Sequence, residues 1–158
     1  MMDEPLIRLA IRVTARTSLL FFLGAFAGAT LAAWWPGQFT AWLSRRRRAL
    51  LVALAASHTV HLAAAAALGA VTHGKSWKDA GISSFVGGGL AYVLIYAMVL
   101  WPSRIWLNSI AMYWVWAIFF ISYTSRTAFE FLSYLPLVLL LVAALALRVL
   151  ARPARGSV

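Results

Sequence analysis

Two histidines, His58 and His61, stand three residues apart in the middle of a long apolar run, with Ser57 beside them. At about 100° per residue, His58 and His61 share one side of a helix, and Ser57 and His61, four apart, lie closer still in angle. Polar groups in an apolar interior are expensive and require partners. A neutral imidazole there either ligates a metal or haem iron, or hydrogen-bonds a neighbouring helix. Spacing alone leaves both readings open. His73 follows in a loop, where solvation accounts for it. No histidine comes later, so a second axial ligand from a facing helix would have to be Met98 or Met112. Core packing explains those thioethers more simply.

The remaining polar groups offer little further chemistry. Asn108, Met112, Val115, Phe119, Ser122 and Arg126 alternate at spacings of four and three, which is one helical stripe. Within it Asn108, Ser122 and Arg126 are candidate polar contacts between helices, and Asn108 is a poor iron ligand. The only carboxylates are Asp3, Glu4, Asp79 and Glu130, none deep in an apolar run, so no path of buried acids can carry protons. Arg126 and Glu130, four apart, are expected to form a local ion pair. Trp114 and Trp116, beside Tyr113, Phe119 and Phe120, could line a flat cofactor or fill a bundle. The chain has no cysteine, which excludes disulfides, thiolate chemistry and iron–sulfur ligation. No catalytic triad, zinc-site spacing or phosphate-binding loop occurs. Neither a catalytic residue nor a metal site is assigned, and an enzyme acting alone has almost nothing to work with.

The elements that must position these residues are membrane helices. Hydrophobic residues make up 63% of the chain and charged residues 11%, where soluble domains carry about 25% charged. Mean hydropathy is +0.84. Apolar runs at 17–35, 49–71, 83–101, 105–124 and 131–150 each approach the ~20 residues a crossing requires. They are continuous rather than alternating, which excludes a membrane barrel. The expected fold is all-α, a polytopic membrane helical bundle of about five transmembrane helices in residues 17–151, with a basic tail at 152–158. Residues 1–16 place Arg8, Arg12 and Arg16 at four-residue spacing among apolar residues. That pattern predicts a short N-terminal helix lying on the membrane surface.

Small residues should let these helices approach closely. Gly24, Gly28 and Ala32 form such a stripe on the first helix, and Gly87, Gly88 and Gly89 thin the third. Pro136 reads as a first-turn proline or a mild kink. Trp34, Trp35, Trp42, Trp77, Trp101 and Trp106 fall near helix ends, as an interfacial belt requires. The net charge of +10 sits at the ends of apolar runs, where lipid headgroups would meet it, and nucleic acid is not an expected partner. With five crossings, one face carries eight Lys/Arg, including Arg45–Arg48, and the other six. The bias predicts an outside N-terminus and a cytoplasmic C-terminus.

The stretches RRRRALLVALAASHTVHL, VGGGLAYVLIYAM and WLNSIAMYWVWAIFFISYTSR resemble the bacterial ferric-reductase-like transmembrane domain family, to which the haem-binding membrane subunit of the periplasmic methionine sulfoxide reductase system is related. The resemblance covers roughly residues 12–150. It implies a helical bundle in the bacterial inner membrane with the arginine loop cytoplasmic. It also implies that His61, thirteen residues after Arg48, stands at a haem b ligand position. The matching positions for the partner ligands fall on Asn108 and Ile121, neither of which ligates iron. The resemblance therefore implies the family's bundle without its paired haem site. The expectation is no cofactor and a non-catalytic accessory or scaffold subunit, its partners the lipid bilayer and the other subunits of a larger redox or pigment-bearing membrane complex. The alternative is a single-haem electron-transfer protein that binds haem b through His61 or His58.

Overall fold

The computed structural model describes residues 3–150, and all their side chains except those of 76, 77 and 79–85. Six helices account for nearly all of it: α1 (Glu4–Trp34), α2 (Gln38–Arg45), α3 (Arg47–Val71), α4 (Lys75–Leu100), α5 (Ile105–Thr127) and α6 (Phe131–Leu150). Lipid supplies no hydrogen bonds, so an apolar run inside it must satisfy its backbone internally, and helices do so. The molecule is a helical membrane bundle. α1, α3, α5 and α6 are each long and apolar enough to cross a bilayer. α4, with 26 residues, is the fifth long helix, about 39 Å at ~1.5 Å per residue. Its segment Val86–Leu100 is apolar.

Two expectations change. Residues 4–16 are not a separate surface helix but the first half of an uninterrupted 31-residue α1. Ile7, Ser18, Leu19, Phe22, Ala25 and Phe26 are buried and Ile11, Thr14 and Ala15 half-buried, so α1 packs on the bundle along most of its length, while Arg8, Arg12 and Arg16 are exposed. The expected loop at 36–48 holds α2, and α3 already begins at Arg47. The buried Leu43 of α2 seats against α1. A Cβ on Gly28 would lie 3.2 Å from Leu43 Cβ and 3.3 Å from its carbonyl carbon, and one on Gly24 would lie 3.2 Å from Leu50 Cδ1. These two glycines are where α2 and α3 close on α1.

The triple glycine of α4 behaves differently. A Cβ on Gly87 would meet Ile118 Cδ1 of α5, whereas Gly88 and Gly89 have nothing within 4 Å among the described residues. Among the described residues only the first of the three points its missing Cβ at another helix, because consecutive residues fan out around the axis. Pro136 lies within α6, past its first turn.

α1 and α3 run antiparallel, and α4, α5 and α6 complete the bundle around a core that includes Leu19, Phe22, Leu54, Ile95, Met98 and Met112. The predicted α5 stripe faces inward: Asn108, Met112, Val115 and Phe119 are all buried. One end of the bundle gathers the exposed Trp34, Trp35, Trp42, Trp101 and Trp106 together with the arginine run. Trp77 lies outside the described side chains.

Candidate functional site

The middle of α3 meets α1 through a ladder of polar side chains. Ser18 Oγ donates to Ser57 Oγ at 3.0 Å, and Ser57 Oγ donates to the Thr14 carbonyl at 3.3 Å. One turn further along, His61 Nδ1 lies 3.2 Å from the Ile11 carbonyl and 3.1 Å from Thr14 Oγ1. A carbonyl only accepts, so the contact with Ile11 places the ring proton on Nδ1. Thr14 gives its own hydroxyl proton to the Ala10 carbonyl at 2.7 Å and is left to accept from His61. Of the two uses open to an imidazole at this depth, the geometry displays the bond between helices.

His58 is placed by rings. It stacks on His61 at 5.6 Å between centroids, lies 4.7 Å from Tyr92 of α4 and meets Phe119 of α5 edge-on at 6.1 Å. Tyr92 donates its hydroxyl to the His58 carbonyl. The buried Nδ1 of His58 has no hydrogen-bond partner among the described residues. Thr59, on the same helix, bonds the hydroxyl of Tyr96.

The positions matched to partner haem ligands are not opposite these rings. Ile121 is 62% exposed on the outer side of α5. Asn108 is buried near the start of α5, where its Nδ2 donates to the Pro102 carbonyl at 2.9 Å. Arg47 lines a cavity with Asn108, and about 21 Å of α3 rise separates Arg47 from His61. Met98 and Met112 are fully buried in the hydrophobic core. Both imidazoles come from α3, and the rings of Tyr92 and Phe119 lie against His58. Among the described residues no group of three or more His, Asp or Glu could hold a metal ion.

The other candidates resolve individually. The indole of Trp116 donates to the Leu141 carbonyl of α6 at 2.9 Å, and that of Trp114 reaches the Gly87 carbonyl of α4 at 3.4 Å, so both tie helices together. Ser122 is half-buried and its carbonyl accepts from Ser125. Arg126 does not form the expected ion pair with Glu130, although the Glu130 amide still donates to the Arg126 carbonyl at 3.0 Å. Glu130 instead accepts from Arg12 of α1 at 3.2 Å, while Arg126 stands over the Tyr134 ring at 6.0 Å. Thr14 and Ser18 escaped the sequence reading. Their four-residue spacing beside Arg12 and Arg16 was the available signal, divided between the interfacial segment at 1–16 and the apolar run at 17–35.

Phe26, Phe22, Phe119, Tyr123 and Tyr134 form a continuous ring column through the bundle, with centroid separations of 5.2, 5.4, 6.1 and 5.8 Å. Arg148 caps one end over Phe26 at 4.5 Å, and Arg16 caps the other over Tyr134 at 5.8 Å. Comparison of the chain with known protein families, with curated proteins and with solved structures gave no match.

Proposed function

We propose that this protein is a non-catalytic accessory subunit that packs in the bilayer against a larger redox or pigment-bearing membrane complex. One observation carries the reading: the polar ladder around His61 is spent on joining helices. His61, Ser57, Ser18 and Thr14 tie α3 to α1, and Trp116 ties α5 to α6. The likeness of the SHTVH and Gly-Gly-Gly-Leu-Ala-Tyr stretches to ferric-reductase-like domains supports a redox setting, in a bacterial inner membrane with the arginine loop cytoplasmic. The outer side of α4 is suited to a lateral neighbour, since Val86, Leu90 and Val93 are exposed beside the open Gly89.

The test is to extract the protein from its native membrane in mild detergent. The expected particle is larger than one 17.3 kDa chain with its detergent. A photo-crosslinking residue at position 89 is expected to capture one defined partner, and the same residue at the buried position 19 none. The reduced absorption spectrum of the purified chain should show no sharp α-band. A full complement of low-spin haem that is abolished by His61→Ala, or a monomer with no crosslink from either position, would falsify the reading.

A further inference from the structure

At the arginine-rich end a cavity of about 500 Å³ opens between the second half of α1, the first residues of α3 and α5, and the last turn of α6. Arg47 and Arg148 both line it, together with Thr30, Asn108 and Ser109. Arg148 is held in position: its guanidinium donates to the Phe26 carbonyl at 2.8 Å and lies over the rings of Phe26 and Tyr113 at 4.5 and 5.3 Å. A guanidinium carries five donors, and only one is engaged by that carbonyl.

Among the described residues no carboxylate is placed to neutralise this pair. The four acidic residues all belong to the opposite end: Asp3 and Glu4 at the start of α1, Asp79 in the first turns of α4 and Glu130 between α5 and α6. The C-terminal ends of α1 and α6 border the cavity and bring negative partial charge to it. α3 and α5 both begin at the cavity, and neither has a side chain capping its first-turn amides. A helix N-terminus attracts anions through those amides and the helix dipole. Unpaired guanidinium groups inside a membrane bundle are costly unless an anion meets them.

We propose that this cavity is a phosphate site, filled in the bilayer by the headgroup of an anionic phospholipid. Arg47 and Arg148 hold the phosphate, a planar fork being suited to its oxygens. Asn108, 5% exposed, forms part of the wall. With its Nδ2 committed to Pro102, its Oδ1 has no hydrogen-bond partner among the described residues. That oxygen is enclosed by protein, so selection falls to charge: a choline headgroup would bring its ammonium against two guanidinium groups, and a glycerol headgroup would not. The apolar remainder of the wall, including Ala29, Ala33 and Ile105, suits an acyl chain leaving toward lipid. The volume lies within the ~300–1,000 Å³ typical of small-molecule sites. Basic pockets between helices on the cytoplasmic side are a recognised seat for such headgroups.

The experiment is native mass spectrometry of the full chain in detergent, titrated separately with dioctanoyl-phosphatidylglycerol, dioctanoyl-phosphatidylcholine and inorganic phosphate. One equivalent of the glycerol lipid is expected to be retained. The choline lipid, whose ammonium meets two guanidinium groups, should bind about tenfold more weakly or worse. Inorganic phosphate should compete with the glycerol lipid. Arg47→Gln should weaken glycerol-lipid binding by about tenfold or more without lowering the lipid-free unfolding midpoint. Arg148→Lys should give a smaller loss, because a point charge cannot serve the Phe26 carbonyl and a phosphate together. Equal retention of the two lipids, or unaltered binding by Arg47→Gln, would overturn the site. Inorganic phosphate binding as tightly as the glycerol lipid would overturn the lipid as its source.

Discussion

Where α1 begins, Arg8 meets Glu4 at 2.7 Å and Arg12 meets Glu130 at 3.2 Å, and the ring of Tyr134 lies beneath Arg16 and Arg126. Where α3 and α5 begin, Arg148 meets a main-chain carbonyl and two rings, and no acidic residue is placed to reach it. Both ends use arginine over aromatic faces. At the first end the chain supplies the counter-charge, in pairs about half exposed, which are worth little to stability. At the second the steric fit is tight, with Leu43 seated on Gly28, and the charge is left for something outside the chain. The difference separates an end that is electrostatically complete from one that is structurally firm but electrostatically open.

Breaking the firm end should have the largest effect. Gly28→Leu places a side chain against the backbone of Leu43, which cannot yield as a flexible side chain does. We expect a loss of about 2–3 kcal/mol, the upper part of the range for overpacking. Gly88→Leu, with open space around it, should leave the isolated protein unchanged. Thermal unfolding in detergent measures both, and equal midpoints for the two variants would remove the steric half of the comparison.

Arg148→Ala should cost about 2 kcal/mol, since a charge-assisted bond to the Phe26 carbonyl and two ring contacts are lost together. Arg126→Ala, at the complete end, should shift the same midpoint little. If the order reverses, the exposed ring contact is the more important one. Between the ends, His61→Phe removes the bonds to Ile11 and Thr14 and should cost about 1 kcal/mol. His58→Phe, whose Nδ1 has no partner among the described residues, should be neutral or slightly stabilising. A larger loss at His58 than at His61 would mean that the ring stack, not the ladder, joins the helices.

The smallest effect is expected from Glu130→Gln. It breaks an exposed pair worth about 0.5 kcal/mol or less, and that difference should vanish as salt is raised. A loss that persists at high salt would show that the pair is less exposed to solvent than its geometry indicates.

Much of the fold was legible along the chain. The ends of α5 and α6 fall within a few residues of the apolar runs, and the stripe Asn108, Met112, Val115 and Phe119 pointed inward as its spacing requires. The candidate site was half legible. His58 and His61 stood out as polar groups in an apolar run, but their partners Ile11, Thr14, Tyr92 and Phe119 come from three other helices. Asn108 and Ile121 were matched as one ligand pair, yet one is buried and the other faces outward. The continuous α1 was misread because its first half looks amphipathic, and α2 was missed within an arginine-rich stretch that resembles a loop.

The physical reason is that hydrophobicity and helical period are local, while rotation about the axis and the choice of neighbour are not. In water the buried side of a helix announces itself by contrast with a polar side. In lipid both sides are apolar, and that contrast fades. The sequence by itself determined that this protein is a bundle of membrane helices with one arginine-rich end. Only the tertiary structure decided that Arg12 finds Glu130 across 118 residues and that Arg47 and Arg148 share a cavity. Such pairings depend on how six rods pack together, which no single rod specifies.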